Sequence, residues 1–274
     1  GLFVLPGATV SGCGVMQNTA EKGAGIYMGT DGFTVGADNR SHVISSTVAG
    51  NTASGTGGGV YLEGGAGLVA NTVIWGNTAS SDRNVSGVTT ETYEDELFAG
   101  IASSEVPDGK FYPFNNCFVE TYEIPGNFLN SSMTTDRELY FVSDYYTPRA
   151  FSPLIKAGML VRVQQYLENS AKVSAYDMQG IVRKKDSNTA IDAGAYAHEG
   201  GTMKIPTNVN DVVKRIFVSQ TKNAKLAENE KEEELLGRSF YTSLSSLDDA
   251  LEYVKQVRQN VSGVADTDFE IWMA

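Results

Sequence analysis

The chain has 274 residues, 29 of them glycine, with 21 Lys and Arg against 33 Asp and Glu and a formal net charge of −12. An acidic surface repels nucleic acid and anionic membranes at long range, which argues against both as partners. No run of about 20 apolar residues occurs, so no membrane-inserted helix is predicted.

The first hundred residues hold a repeat. Asn-Thr-Ala occurs at Asn18, Asn51 and Asn77, at spacings of 33 and 26. Aligned on the Asn, the upstream positions read Val10/Val43/Val69, then Cys13/Ser46/Thr72, then Val15/Val48/Ile74. A second motif is interleaved, Gly23-Ala24-Gly25-Ile26-Tyr27 and Gly57-Gly58-Gly59-Val60-Tyr61. A drifting period of this length signals stacked coils with insertions absorbed in loops. Helical solenoids need long amphipathic stretches rich in Ala, Leu, Glu and Lys. Residues 1–90 are instead Gly, Thr, Ser, Asn and Val in short runs of period two bounded by turn residues. The pattern predicts an all-β solenoid, a right-handed parallel β-helix. Each repeat position then forms a column, with Val10/Val43/Val69 and Val15/Val48/Ile74 in the core. Cys13/Ser46/Thr72 makes a column of small residues, and Asn18, Asn51 and Asn77 make a structural ladder at a bend. A ligand-binding Asn row is the alternative reading. Tyr27, Tyr61 and Trp75 read either as an exposed strip for stacking sugar rings or as packing along the axis. His42 reads as a strand-edge residue rather than a catalytic imidazole. Cys13 and Cys117 read as two thiols, with a disulfide the lesser alternative.

After Thr90 the repeat degrades and aromatics rise, among them Tyr112, Phe114, Phe118, Tyr122, Phe128, Tyr140, Phe141, Tyr145, Tyr146 and Phe151. Residues 90–199 are expected to form the irregular end of the solenoid, whose C-terminal coils span 1–199. Residues 200–212, with Pro206, are expected to be a linker. Glu228 to Glu234 is a charged run expected to be a solvated loop. Ser246-Leu247-Asp248-Asp249 approximates a capping box, with Asp in place of the usual Glu or Gln. Leu247, Ala250, Leu251 and Val254 fall on one predicted helix face. Phe269 to Ala274 reads as a strand. Both ends of the sequence read as cuts through a longer polypeptide.

One stretch resembles a known family. Ser152-Pro153-Leu154-Ile155-Lys156-Ala157-Gly158, then Asp177-Met178-Gln179-Gly180-Ile181-Val182-Arg183, then Ile191-Asp192-Ala193-Gly194-Ala195-Tyr196 resembles the C-terminal coils of the choice-of-anchor Q group of β-helix proteins. Trp75-Gly76-Asn77 is similar to that family's last regular coils. Lys156 stands where the family has Asp, and Ala197-His198 where it has Tyr-Glu. The segments Arg215 to Ser219, Ser239-Phe240 and Ser246 to Val254 resemble the start of another copy. The resemblance therefore implies a pectin lyase-like fold, with residues 213–274 a truncated N-terminal cap and first strand of a second β-helix. It also implies a bacterial protein, secreted or at the cell surface, adhesin-like or glycan-binding, with an extracellular glycan or host or cell-surface ligand as partner.

A polysaccharide lyase or glycoside hydrolase is the alternative. Such enzymes need carboxylates on neighbouring coils, for calcium or for an acid/base pair. The stacked strand positions 10–16, 43–49 and 69–75 carry no Asp, Glu, Lys or Arg. The charges Glu21, Lys22, Asp31, Asp38, Arg40 and Glu63 are assigned to loops. No catalytic residue and no cofactor is assigned. Asp144, Asp177 and Asp192 read as turn caps, with calcium as the lesser alternative.

Overall fold

The computed structural model describes residues 1–33, 39–63, 67–81, 85–86, 114–115, 117–120, 139, 141–142, 146–159, 176–180, 183, 190–198, 204–219, 244, 246–264 and 269–273. Two compact units divide the chain. One holds residues 1–138 and 154–197, the other 139–153 and 198–274.

The first unit is built from parallel strands stacked coil on coil, an arrangement consistent with a β-solenoid. The strands run in the order β1 (Leu2–Val4), β2 (Thr9–Ser11), β3 (Gly14–Met16), β4 (Thr19–Lys22), β5 (Ile26–Met28), β6 (Ser41–Ile44), β7 (Thr47–Ala49), β8 (Thr52–Thr56), β9 (Val60–Leu62), β10 (Gly67–Ala70), β11 (Val73–Trp75), β12 (Val85–Ser86), β13 (Phe114–Asn115) and β14 (Phe118–Val119). They fall into three four-stranded sheets, β1-β5-β9-β12, β2-β6-β10-β13 and β3-β7-β11-β14, and a two-stranded sheet β4-β8. A bridge from Thr52 to Thr78 extends the last sheet by one rung.

The register places Val10, Val43, Val69 and Phe114 in one column. Val15, Val48, Ile74 and Val119 stand in another. Both columns belong to one apolar core with Ile26, Met28, Val60 and Leu62. Strands this short must turn within a residue or two, and the corners repeat as regularly as the strands. Gly12, Ser45 and Asn71 have left-handed φ at one corner, and Gln17, Gly50 and Gly76 at the next. Single left-handed residues bend a chain sharply, and Gly and Asn adopt that region at least cost.

The strands β7 and β10 are buried at every position. Parallel sheets with both faces covered lose the simple in/out alternation. Part of the cover comes from Gly158, Gly194 and Ala195 of the same unit. The Ala195 amide donates to Thr47 Oγ1 at 2.9 Å, and the Gly194 amide to the Asn71 carbonyl at 2.8 Å. A Cβ on Gly194 would lie 3.0 Å from Thr47 Oγ1 and from Val73 Cγ2, and its φ is +96°. Glycine is therefore required where the segment lies flat on β7 and β11.

Among the described residues the second unit has one α-helix, Leu247–Asn260, between the parallel strands Arg215–Val218 and Glu270–Met273. Ile216, Val218, Leu244, Ala250, Tyr253 and Val257 form its core with Ala150 and Phe151. Residues 204–212, within the expected linker, include a short 3-10 turn at Val209–Asp211 capped by Asn208, and Ile205 and Val212 pack on that core. Two local expectations for the helix are corrected. Ser246 is the N-cap, but its hydroxyl accepts from the Asp248 amide, and Asp249 is bonded to Arg149 Nη1 at 3.2 Å instead of closing a capping box. The inward face is Asp249, Ala250, Tyr253 and Val257, whereas Leu247 and Leu251 are 40% and 53% exposed. The large Tyr253 ring and the Arg149–Asp249 pair set the rotation of the helix. Ser239-Phe240 and Glu228 to Glu234 lie outside the described residues.

Candidate functional site

The Asn column is a continuous hydrogen-bonded ladder. Asn51 Oδ1 accepts from the Asn18 amide and from Asn18 Nδ2, each at 2.9 Å. Asn77 Oδ1 accepts in the same way from Asn51 N and Nδ2. Asn51 Nδ2 also donates to the Val15 carbonyl, and Asn77 Nδ2 to the Val48 carbonyl. Asn51 and Asn77 are buried, so each amide sits where a lost partner costs about 1–3 kcal/mol. These side chains are spent on the bend.

The small-residue column works similarly. Ser46 Oγ accepts from the Cys13 amide and donates to the Ile44 carbonyl, and Thr72 Oγ1 donates to the Ala70 carbonyl. The register of β11 with β14, Val73 opposite Phe118, makes Cys117 the fourth member. Cys13 and Cys117 are not joined in a disulfide and stand three rungs apart, separated by Ser46 and Thr72. Cys117 was hard to find in the sequence because 45 residues separate it from Thr72, against 33 and 26 in the earlier coils.

Tyr27 and Tyr61 occupy matching positions on β5 and β9 and stack with ring centroids 4.8 Å apart at 28°. Phe3 on β1 extends the stack, 5.1 Å from Tyr27 at 27°. The spacing is that of adjacent strands in a sheet. The rings face one another along the axis, leaving edges and hydroxyls outward. Phe3, at the end of the stack, is 60% exposed. The glycines ahead of each Tyr have a steric reason. A Cβ on Gly25 would lie 2.5 Å from the Gly59 carbonyl oxygen and 2.5 Å from Val48 Cγ1. Trp75 is not part of this stack. It stands in the β3-β7-β11 sheet, opposite Ala49.

Charged groups border the stack. Glu63 accepts from Tyr27 Oη at 3.1 Å, from the Thr30 amide at 2.8 Å and from Thr30 Oγ1 at 3.1 Å. The Thr30 amide is the main reason its carboxyl is held below the ordinary value; the hydroxyls of Thr30 and Tyr27 and the Lys22 charge add to this, against a smaller opposing effect of burial. Burial, then the Glu63 carboxylate, pushes the Tyr27 phenol up. Lys22 Nζ lies 5.9 Å from the Tyr61 ring centre. Sequence reasoning assigned Glu63 and Lys22 to loops and passed over Phe3. Beside the stack, Thr19, Thr52 and Thr78 form an exposed hydroxyl column, with Thr78 Oγ1 donating to Thr52 Oγ1 at 3.0 Å. Its signal was present in the sequence, as the Thr of each Asn-Thr-Ala.

The remaining candidates stand apart from this face. Asp177 accepts from the Gln179 and Ala197 amides, and Asp192 from the Lys156 amide. Arg183 is buried, and its guanidinium donates to the carbonyls of Asp192, Gly194 and Ala195. Asp144 lies outside the described residues. Among the described residues no group of three or more His, Cys, Asp or Glu is placed to hold a metal ion. His42 is half-buried on β6, and burial, then the Arg40 charge, lowers its pKa. No helix among the described residues is long and apolar enough to cross a membrane. No family model, curated protein or solved structure matches the chain.

Proposed function

We propose that this chain is a secreted or cell-surface β-helix module that works by presentation and binding, with an extended glycan as its ligand. The observation that carries the reading is an exposed column and a half-buried one, each repeating coil by coil. These are the hydroxyls of Thr19, Thr52 and Thr78, and the edges and phenols of Tyr27 and Tyr61. A polymer lying along the axis meets the same groups at every rung. Hydroxyl donors and acceptors with aromatic edges suit sugars, and contact through ring edges replaces the ring-face platform of the simplest sugar site. The solenoid is read as right-handed, because parallel crossovers within one sheet take that hand in about 98% of cases. The resemblance to the choice-of-anchor Q group supports bacterial surface attachment. It also supports reading residues 213–274 as a truncated N-terminal cap and first strand of a further β-helix.

A glycan array probed with the purified chain tests the proposal. Binding of an extended glycan without release of reducing or unsaturated ends is expected. Replacing both Thr52 and Thr78 by Val should weaken that binding about tenfold, the loss of two ordinary hydrogen bonds. Release of new chain ends would assign the alternative, a carbohydrate-active enzyme.

A further inference from the structure

The tyrosine column of the first unit has a hydrogen-bonding polarity that its residue types alone do not reveal. Glu63 accepts from two hydroxyls, Tyr27 Oη at 3.1 Å and Thr30 Oγ1 at 3.1 Å. A carboxylate has no proton to give, so both hydroxyls must donate to it. Each hydroxyl owns a single proton. Toward solvent, the Tyr27 and Thr30 oxygens are therefore left as acceptors only. The Thr30 amide donates to the same carboxylate at 2.8 Å and holds Glu63 in this position. Tyr27, Thr30 and Glu63 are half-buried, so each keeps part of its surface toward solvent.

The charges along this face have a sign as well. Glu21 is exposed and adjoins Lys22 in β4, and Asp31 is exposed and follows Thr30 in the chain. Glu63 adds a third carboxylate. Lys22 is the cation placed at the column, with Nζ 5.9 Å from the Tyr61 ring centre, and its charge also acts on Glu63. The whole chain carries a net charge of −12. An oxyanion laid beside Tyr27 would meet acceptors where it needs donors, and like charge where it needs a cation.

We infer that this face selects uncharged, hydroxyl-rich glycans over acidic ones, and that Glu63 is the positioning residue that sets the choice. The inference rests on the glycan reading above and narrows its ligand class. Sugar hydroxyls and acetamido N–H groups can donate, and so match the Tyr27 and Thr30 oxygens, whereas carboxylate and sulfate groups only accept. Glu63 acts in two ways. It fixes the direction of two hydroxyls, and its own charge repels an anionic substituent. A repulsive element beside an attractive one is how a binding face separates close analogues.

The test uses the full chain and matched pairs of oligosaccharides of equal length and linkage. One member of each pair is neutral, and the other has its C6 hydroxymethyl groups oxidised to carboxylates. Affinities are measured by titration calorimetry at low and at high salt. In pairs that bind, the neutral member should bind about tenfold more tightly at low salt. Raising the salt should narrow that gap by screening the repulsion of the acidic member. This salt series needs no variant and tests the charge selection by itself. Glu63→Gln keeps the shape of the side chain and removes its charge. It should strengthen binding of the acidic member about fivefold, the worth of one close unit-charge repulsion in water, with a smaller change for the neutral member. Acidic members that bind as tightly as neutral ones, or a gap that salt leaves untouched, would overturn the inference while the glycan reading stands. Equal weakening of both members in Glu63→Gln, at an unchanged urea midpoint, would overturn the role of Glu63. Binding of no member of any pair would remove the glycan reading and this inference with it.

Discussion

The two units obtain their cores in different ways. In the stacked-strand unit, a residue's surroundings are largely its own counterparts one coil away, such as Val43 between Val10 and Val69, or Asn51 between Asn18 and Asn77. In the second unit each contact occurs once. Arg149 bonds Asp248 and Asp249, the Val213 amide donates to Tyr253 Oη, and Phe151 lies 6.5 Å from the Tyr253 ring. A repeat announces its partners by spacing, whereas a unique contact has no second copy to reveal it. The difference also predicts how damage spreads. A rung lost from the ladder leaves vacancies in two neighbours, while a residue lost from the second unit is felt by its own cluster.

The largest effect is expected at the helix. Tyr253→Ala removes a fully buried ring and should cost about 4 kcal/mol. Leu251→Ala, on the exposed side of the same helix, should change stability by about 0.5 kcal/mol or less. Urea unfolding of the two variants measures both. Similar losses would mean that the helix is turned the other way, with Leu247 and Leu251 inward. Next comes the ladder. Asn51→Ala removes bonds to Asn18, Asn77 and the Val15 carbonyl in a buried setting, and should cost about 3 kcal/mol. Asn18→Ala, which is half-buried and loses half as many side-chain bonds, should cost about 1 kcal/mol. Equal values would break the claim that a rung's worth follows its burial and the number of bonds it makes.

Much of the first unit was legible because its information is redundant. Three copies of Val-x-x-Ser-x-Val-x-x-Asn, with Cys or Thr and Ile as variants, are enough to assign strand columns, bends and register. What the sequence concealed there were interactions between coils through non-repeating residues. Glu63 reaches Tyr27 and Thr30, 36 and 33 residues away, and nothing in the local sequence marks that contact. Thr47 and Val73 are outward positions by period but are covered by a segment about 120–150 residues later. Trp75 shares the aromatic character of Tyr27 and Tyr61 but follows a different strand, so residue type alone grouped it wrongly with their stack. In the second unit, the helix was legible from its cap and apolar period, and the strand at Arg215–Val218 from the family resemblance. The helix face was not, because Leu247 and Leu251 satisfy an apolar period as well as Tyr253 and Val257 do.

The smallest effects separate the units by pH. Burial holds the Asp249 carboxyl above its ordinary value, against the opposing pull of His198 and Arg149. A raised native pKa favours the protonated acid in the fold. Its contribution is full below the unfolded-state pKa, about 3.9 for Asp, and is lost as pH rises through the native value. Glu63 behaves oppositely. Bonds from Thr30 and Tyr27 lower its pKa, so its contribution is present above the unfolded-state value, about 4.3 for Glu, and is lost as pH falls through the native one. Asp249→Asn should therefore flatten a decline in urea midpoint with rising pH, and Glu63→Gln should flatten a rise. Glu63 is the weaker of the two, since solvent screens a carboxylate that is only partly buried. Its readout is best made local, by following the Tyr27 ring resonances through the acid range in the wild-type chain and in Glu63→Gln. The wild-type ring should report a titration below the ordinary Glu range, and the variant should report none. A titration that persists in the variant would show that the stack answers to another acid and that the Glu63 contact is incidental to it.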